Sequence, residues 1–476
     1  MKPICARLGL PIAITLALAA ASGVHAATIT VDSADDNAAS TFCNLRDALT
    51  SIDKGNTTST PTCAGAVSGT FGSDDTVVFA SGLVNATITL MQGEIGVGFM
   101  KQATITGSGQ TINADGHSRV FEVSQYGKAT LSNLTLTGGS ASAGGGIEVD
   151  WYGSLILNNC IVSNNSAGLG GGIHVSPFAG ARLSKSTVSG NSATVSGGGL
   201  DANSGSLILS ESTVSNNTTY CPSNHSCGGG IDVRNGPLTS LTVIDSTISG
   251  NTISGHGDHL AGGVYLGNAF GTFINSTITG NSAVGNDYLS GGLWELSSVT
   301  RSLTLINSTV VSNSASSYGA GTHVGGGVVC GVGPSGYAGD LTLTNTIVSG
   351  NTPASADVLL GSASTLSASY NLLGMALNVS RFNVAANHNI FSGTPGVGPL
   401  QNNGGATQTL ALLPGSPALG TGSVNLAVYS GQPIHYDQRG YGFARTLNGS
   451  VDIGAFETQG GILADRIFAD SLEAIP

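Results

Sequence analysis

Charge is scarce in this chain: only 9% of its 476 residues are Asp, Glu, Lys or Arg, and only 5% are aromatic. The basic residues number 15 against 27 acidic, a net charge of −12, which excludes the clustered Lys and Arg that grip a nucleic-acid backbone. Low charge also excludes acidic disorder, and 72 glycines are too many for a helix bundle. Long apolar runs are missing after residue 27, so no helical transmembrane segment is expected in the mature chain. Nor does the C-terminus show the ten-residue amphipathic strands of an outer-membrane barrel. The cysteines match no zinc-site spacing.

What is present begins with a leader. Lys2 and Arg7 precede an apolar run from Leu8 to Ala21, and Val24-His25-Ala26 suits cleavage, so residues 1–26 read as a secretory signal peptide. The run is too short to span a bilayer. Losing Lys2 and Arg7 leaves 13 basic against 27 acidic side chains, net −14. Export to an oxidising compartment makes Cys43–Cys63 and Cys221–Cys227 candidate disulfides, with Cys160 and Cys330 as buried free thiols.

A repeat runs from residue 131 to 351. Its unit is an apolar strand, a polar tripeptide such as Asn-Ser-Thr, Val or Ile, Ser-Gly-Asn, a variable segment, and a glycine run followed by an aliphatic residue. Registered on the third residue of the tripeptide, the copies are Thr135, Ile161, Thr187, Thr213, Thr247, Thr277, Thr309 and Ile347. The first three steps are 26 residues and the next 34, 30, 32 and 38. From Ile161 onward an Asn falls four residues later, at Asn165, Asn191, Asn217, Asn251, Asn281, Asn313 and Asn351. The length variation therefore lies mostly between that Asn and the glycines, as a solenoid allows at one corner, and the loops should line one edge.

Short segments such as Leu155-Ile-Leu, Ile161-Val and Ile173-His-Val are strands by period and length. Two or three per turn with no helix between them predict an all-β, right-handed, single-stranded parallel β-helix, with like residues stacked at about 4.8 Å. The repeated Asn suits either a left-handed corner or an internal hydrogen-bonded ladder. Thr76-Val-Val-Phe, Thr87-Ile-Thr-Leu, Ala103-Thr-Ile and Val120-Phe-Glu-Val read as further rungs. Phe42, Leu45, Leu49 and Ile52 recur at helical spacing, which predicts a short capping helix over the N-terminal end.

These residues carry a resemblance. The Gly-Gly-Gly-Ile and Ser-Gly-Asn repeats resemble polymorphic outer-membrane proteins and pectin-lyase-like solenoids of secreted bacterial proteins. Thr41-Phe-Cys-Asn-Leu-Arg-Asp-Ala-Leu is similar to the N-terminal CSLREA motif, with Asn44 and Asp47 in place of its Ser and Glu. Asn403-Gly-Gly-Ala-Thr-Gln-Thr-Leu-Ala-Leu-Leu-Pro-Gly-Ser-Pro-Ala, Asp437-Gln-Arg-Gly and Asp452-Ile-Gly-Ala-Phe-Glu resemble the choice-of-anchor Q domain of surface proteins. Asp465-Arg-Ile-Phe-Ala-Asp-Ser-Leu-Glu is similar to a short C-terminal tag of exported proteins. The expected organisation is a leader at 1–26, an N-terminal cap at 27–75, rungs at 76–351, C-terminal rungs with the anchor-like region at 352–460, and a tail at 461–476. The resemblance implies fold and location, secreted or at the cell surface, and no catalytic residues.

Counting two residues past the last Gly of each run gives Glu148, His174, Asp201, Asp232, Tyr265, Trp294 and Val329. The residue before each is aliphatic and must face inward, so these seven are expected to face outward in one column. Asp150, Ser176, Asn203 and Arg234 follow two positions on. Such a strip can be solvated surface, or a calcium site made by Asp150, Asp201 and Asp232. It can bind sugar through Glu148, His174, Tyr265 and Trp294. It can also be catalytic: Asp201 and Asp232 on consecutive rungs would sit about 5 Å apart, near a retaining glycosidase pair, and one pKa would rise. A lyase would add calcium with Arg234 as base; no other cofactor is required.

Gly255-His256-Gly257-Asp258 resembles the Gly-His-Gly of polygalacturonases, but lies in a variable segment without the companion signatures. His259 and His323 are expected to be solvated. The glycine runs open no helix and are not phosphate cradles. The favoured expectation is an adhesin-like, glycan- or partner-binding surface protein without turnover, whose partner is a polysaccharide or a surface protein. The alternative is a lyase or hydrolase acting on an acidic polysaccharide.

Overall fold

The computed structural model describes residues 26–459 except 38–39, 237, 299–300, 320–322, 334–336, 354–355 and 378, so the expected leader and the tail lie outside the described residues. Among the described residues the strands stack into three long sheets of 13, 12 and 11 strands, which wrap one continuous apolar core. The first runs from Val67–Ser68, which pairs antiparallel with Thr28–Val31, to Thr365–Ser369, the second from Thr87–Thr89 to Ile390–Phe391, and the third from Ile95–Val97 to Ala376–Leu377. Each chain turn contributes one strand to each, paired in parallel with the turns before and after. The registration residues superimpose as the repeat requires, from Thr135 on Ile161 through to Thr309 on Ile347.

The interior carries polar ladders as well as aliphatic ones. Asn165, Asn191, Asn217, Asn251, Asn281, Asn313 and Asn351 form a fully buried column in which each Nδ2 donates to the next Oδ1 at 2.9–3.0 Å. That oxygen also accepts the backbone N–H of the Asn before it. The column ends at Asp357, whose Oδ1 accepts both the N–H and the Nδ2 of Asn351 at 2.8 Å. The left-handed corner falls one residue earlier, at Gly138, Asn164, Gly190, Asn216, Gly250, Gly280, Ser312 and Gly350. The Asn is thus kept for its amide and not for its backbone tolerance. A second ladder joins Cys160, Ser186, Ser212, Ser246, Ser276, Ser308 and Thr346, each hydroxyl accepting the N–H of the residue before it.

Helix α1, Leu45–Lys54, covers the N-terminal end and buries Leu45, Ala48, Leu49 and Ile52. Asn44 caps it by accepting the N–H of Asp47 at 2.9 Å, Gly55 ends it in the left-handed conformation, and the Cys43–Cys63 disulfide ties it to the following loop. Phe42 is a correction: it precedes the helix and is exposed, because the chain enters through the cap there. Thr28–Val31 pairs with Asp75–Phe79, so part of the expected cap is already a rung.

Residues 395–459 turn back and pack on the outer face of the 12-stranded sheet. Leu410, Leu412, Ala418, Ile453 and Phe456 bury against Val311, Ile347 and Leu372. Thr247 and Thr277 donate to Gln408 and Gln438, and Thr309 accepts the N–H of Ala455. Asp437, Arg439 and Glu457 of the anchor-like motifs are buried in the interior of this lobe, Arg439 pairing with Asp437 and Glu457 with Arg445 from the segment between the motifs. Arg439 lies between Phe443 and Phe456, 4.0 and 3.8 Å from the ring centres.

Asn217→Ala should cost about 3 kcal/mol, because it leaves donors of Asn191 unpaired in the core, whereas Ser189→Ala on the outer face should cost under about 0.5 kcal/mol. Hydrogen exchange of the neighbouring rungs reads the difference locally, and equal protection in both variants would refute the structural weight given to the ladder.

Candidate functional site

The column named from the glycine runs does stack: Glu148, His174, Asp201, Asp232, Tyr265, Trp294 and Val329 pair in register along the 11-stranded sheet, and Glu122, which follows no glycine run, extends it by one turn. It faces away from the main core, as alternation demands. It is not, however, an open strip. Asp201, Asp232 and Trp294 are 0% exposed and Tyr265 is 4% exposed. For Tyr265 and Trp294 the cause is the length variation. Where turns exceed 26 residues, the extra residues form a four-stranded parallel sheet, Ser226–Gly228, His259–Ala261, Tyr288–Ser290 and His323–Gly325.

This layer closes over the column. Trp294 packs edge-on against His259 and Tyr288, at centroid distances of 5.5 and 6.2 Å, within a cluster that includes Ala261, Tyr265, Val329 and Leu359. His259, expected in solvent, is buried there, and burial pushes its pKa down to about 4. Tyr265 and Trp294 therefore cannot serve as sugar platforms in this arrangement. The Cys221–Cys227 disulfide closes the first of these inserted segments.

The charged part of the column is a buried chain of contacts. Arg234 lies between the two aspartates, with Nη1 2.9 Å from Asp232 and Nη2 3.2 Å from Asp201. Its Nη1 also donates to Ser196, whose hydroxyl donates to Asp201. His174 Nδ1 is 2.7 Å from Asp201 Oδ2, and its Nε2 is 3.9 Å from Glu148, which accepts from Ser176. Burial penalises the charge on Asp201, but Arg234 and His174 outweigh it and hold the carboxyl below its usual value. Burial raises Asp232 to about 6; Arg234 opposes the shift and the Asp201 charge adds to it. Burial also opposes charging of His174, yet Asp201 and Glu148 carry its pKa upward.

These positions correct the expected roles. A guanidinium clamped by two carboxylates is held as a cation, so Arg234 is unsuited to act as a base. Asp201 and Asp232 lack access for a polymer. Asp150 does not join them, and among the described residues no three His, Cys, Asp or Glu side chains are grouped to hold a metal ion. What the chain of contacts can do is hold His174 in one orientation, its Nδ1 against Asp201.

An exposed site lies at the next corner, over the 26-residue turns. Tyr126, Tyr152 and Phe178 stack with ring centres 4.9 and 5.0 Å apart, Phe99 meets Tyr126 edge-on, and Trp151 leans on Phe178 at 6.3 Å. All five rings are at least 41% exposed. Tyr126, Tyr152 and Phe178 have φ of 58°, 59° and 63°, a left-handed conformation that costs a residue with a Cβ about 1–2 kcal/mol. The same corner is filled by Ser204, Asn235 and Asn268 in later turns. The 26-residue spacing of these three rings was the available signal, and registration on the glycine runs passed over it.

No protein-family profile matches the chain, and no curated protein matches it. Its fold defines the class, a right-handed parallel β-helix. Among solved structures, pectate lyase Pel9A is similar at 14% identity over 92% of this chain and 98% of its own, with a TM-score of 0.48. A tailspike protein mutant of E. coli bacteriophage HK620, in complex with a pentasaccharide, is similar at 12% identity over 67% of this chain and 66% of its own, with a TM-score of 0.25.

Arg234→Ala leaves two buried carboxylates facing each other and should destabilise the protein by about 3–5 kcal/mol. A carboxyl whose folded pKa is raised stabilises most when protonated, and this contribution fades as pH climbs through about 6 for Asp232. The loss should therefore be larger near pH 8 than near pH 5 in denaturant melts, and a pH-independent loss would contradict the assignment.

Proposed function

We propose that the protein is an exported, non-enzymatic glycan-binding solenoid whose contact surface is the aromatic corner formed by Phe99, Tyr126, Trp151, Tyr152 and Phe178. The observation that carries this reading is the placement of bulky rings, exposed and stacked, at a left-handed corner that other turns fill with Asn or Ser. The stacked column presents ring edges and two phenol hydroxyls, while Trp151 and the terminal face of Phe178 are platforms on which a sugar ring can lie. An extended polysaccharide running along the axis would meet one ring per turn.

Binding without turnover agrees with the enclosure of Asp201, Asp232 and Arg234. Two disulfides fit an oxidising compartment, and no described helix is long and apolar enough to cross a membrane. Glu148 and His174 form the floor beside the corner; attachment to a cell surface, in the manner of an adhesin, follows from the anchor-like lobe as part of the same proposal.

The chain has two tryptophans, one exposed and one enclosed. Glycan binding should shift the emission of Trp151 and protect it from acrylamide, and Trp151→Ala or Tyr152→Ala should weaken binding about tenfold, near 1.4 kcal/mol. Trp294→Phe should leave affinity unchanged. If a broad glycan array gives no binder, or Trp151→Ala binds like the parent, the reading is wrong.

A further inference from the structure

The corner is bordered on the 11-stranded-sheet side by carboxylates. Glu122 and Glu148 pair on adjacent turns, and Asp150 leads directly into Trp151, whose N–H it accepts at 2.7 Å. Glu94 lies beside them, bound to Arg119 at 2.6 Å. Four acids thus meet two basic groups there. Arg119 is engaged by Glu94 and the carbonyl of Ala143, and His174 is held by Asp201. Lys101 and Lys128 stand beyond the aromatic column on the neighbouring sheet side. Glu148 is 8% exposed and its Oε2 has no hydrogen-bond donor. Burial raises the pKa of Glu122 and of Glu148, with Glu94 adding to the first.

Resting on the glycan reading above, we infer that the preferred ligand is a polysaccharide bearing ammonium groups, an amino-sugar polymer, with Glu122 and Asp150 facing its cations, Glu148 adding its charge from beneath, and Trp151 facing its rings. An ammonium supplies the donors and the positive charge that these carboxylates lack, and the tryptophan face attracts the same cation. An acidic polysaccharide would meet like charge along the whole border.

The test compares oligomers of glucosamine, of N-acetylglucosamine and of galacturonate on the full mature chain by calorimetry. Glucosamine oligomers should bind about tenfold more tightly than the acetylated ones, galacturonate should not bind, and added salt should erode the preference. Glu122→Gln and Asp150→Asn, which keep shape and remove charge, should erase the difference between the amino and acetylated ligands while retaining residual binding. Equal affinity for both, or a preference for galacturonate, with binding still lost in Trp151→Ala, overturns the ligand class and leaves the glycan surface standing. No binding of any oligomer overturns both. A dimer of the parent that Trp151→Ala converts to monomer would assign the patch to a second copy and also overturn the inference.

Discussion

Parallel hydrogen bonding of each turn onto the next is the constraint from which the rest follows. It fixes turns about 4.8 Å apart and forces equivalent residues to lie over one another, so any side chain chosen at one position must tolerate its own kind above and below. Aliphatic residues meet this easily. Asn meets it because its amide is both donor and acceptor, so a buried column satisfies itself and only its end needs help, which Asp357 supplies. Ser and Thr do the same with backbone N–H groups in the second ladder.

Like-over-like stacking is harder for charge, and the outer column shows how the fold deals with it. Asp201 and Asp232 are adjacent and enclosed, an arrangement tolerable only with Arg234 between them, His174 beside Asp201, and Ser196 and Gly228 each donating to one oxygen of the pair. Beyond Asp232 the column turns apolar and is sealed by the added four-stranded layer. The added layer seals that apolar part, while the aromatic corner, one step further round the turn, stays exposed.

Much of this was legible in residues. The 26-residue spacing, the invariant Asn and the glycine runs gave the register of every central turn, and the disulfide pairs Cys43–Cys63 and Cys221–Cys227 form as expected. The candidate site was legible only in its stacking. Alternation says that His174 and Trp294 point away from the core, but it does not say what lies on the other side. Segments with no clear strand pattern, such as those around His259 and Tyr288, became the cover. Tyr126, Tyr152 and Phe178 were missed because a corner residue belongs to no strand period.

By itself, then, the chain's periodicity determined the coil and its register, which depend on contacts between a residue and its own repeat, and helical spacing determined the capping helix. Only the tertiary structure decided which outward residues meet solvent. That depends on where insertions and the C-terminal lobe come to rest, through contacts between segments such as Thr277 and Gln438, 161 residues apart. Contacts between unlike segments leave no periodic trace for a sequence to display.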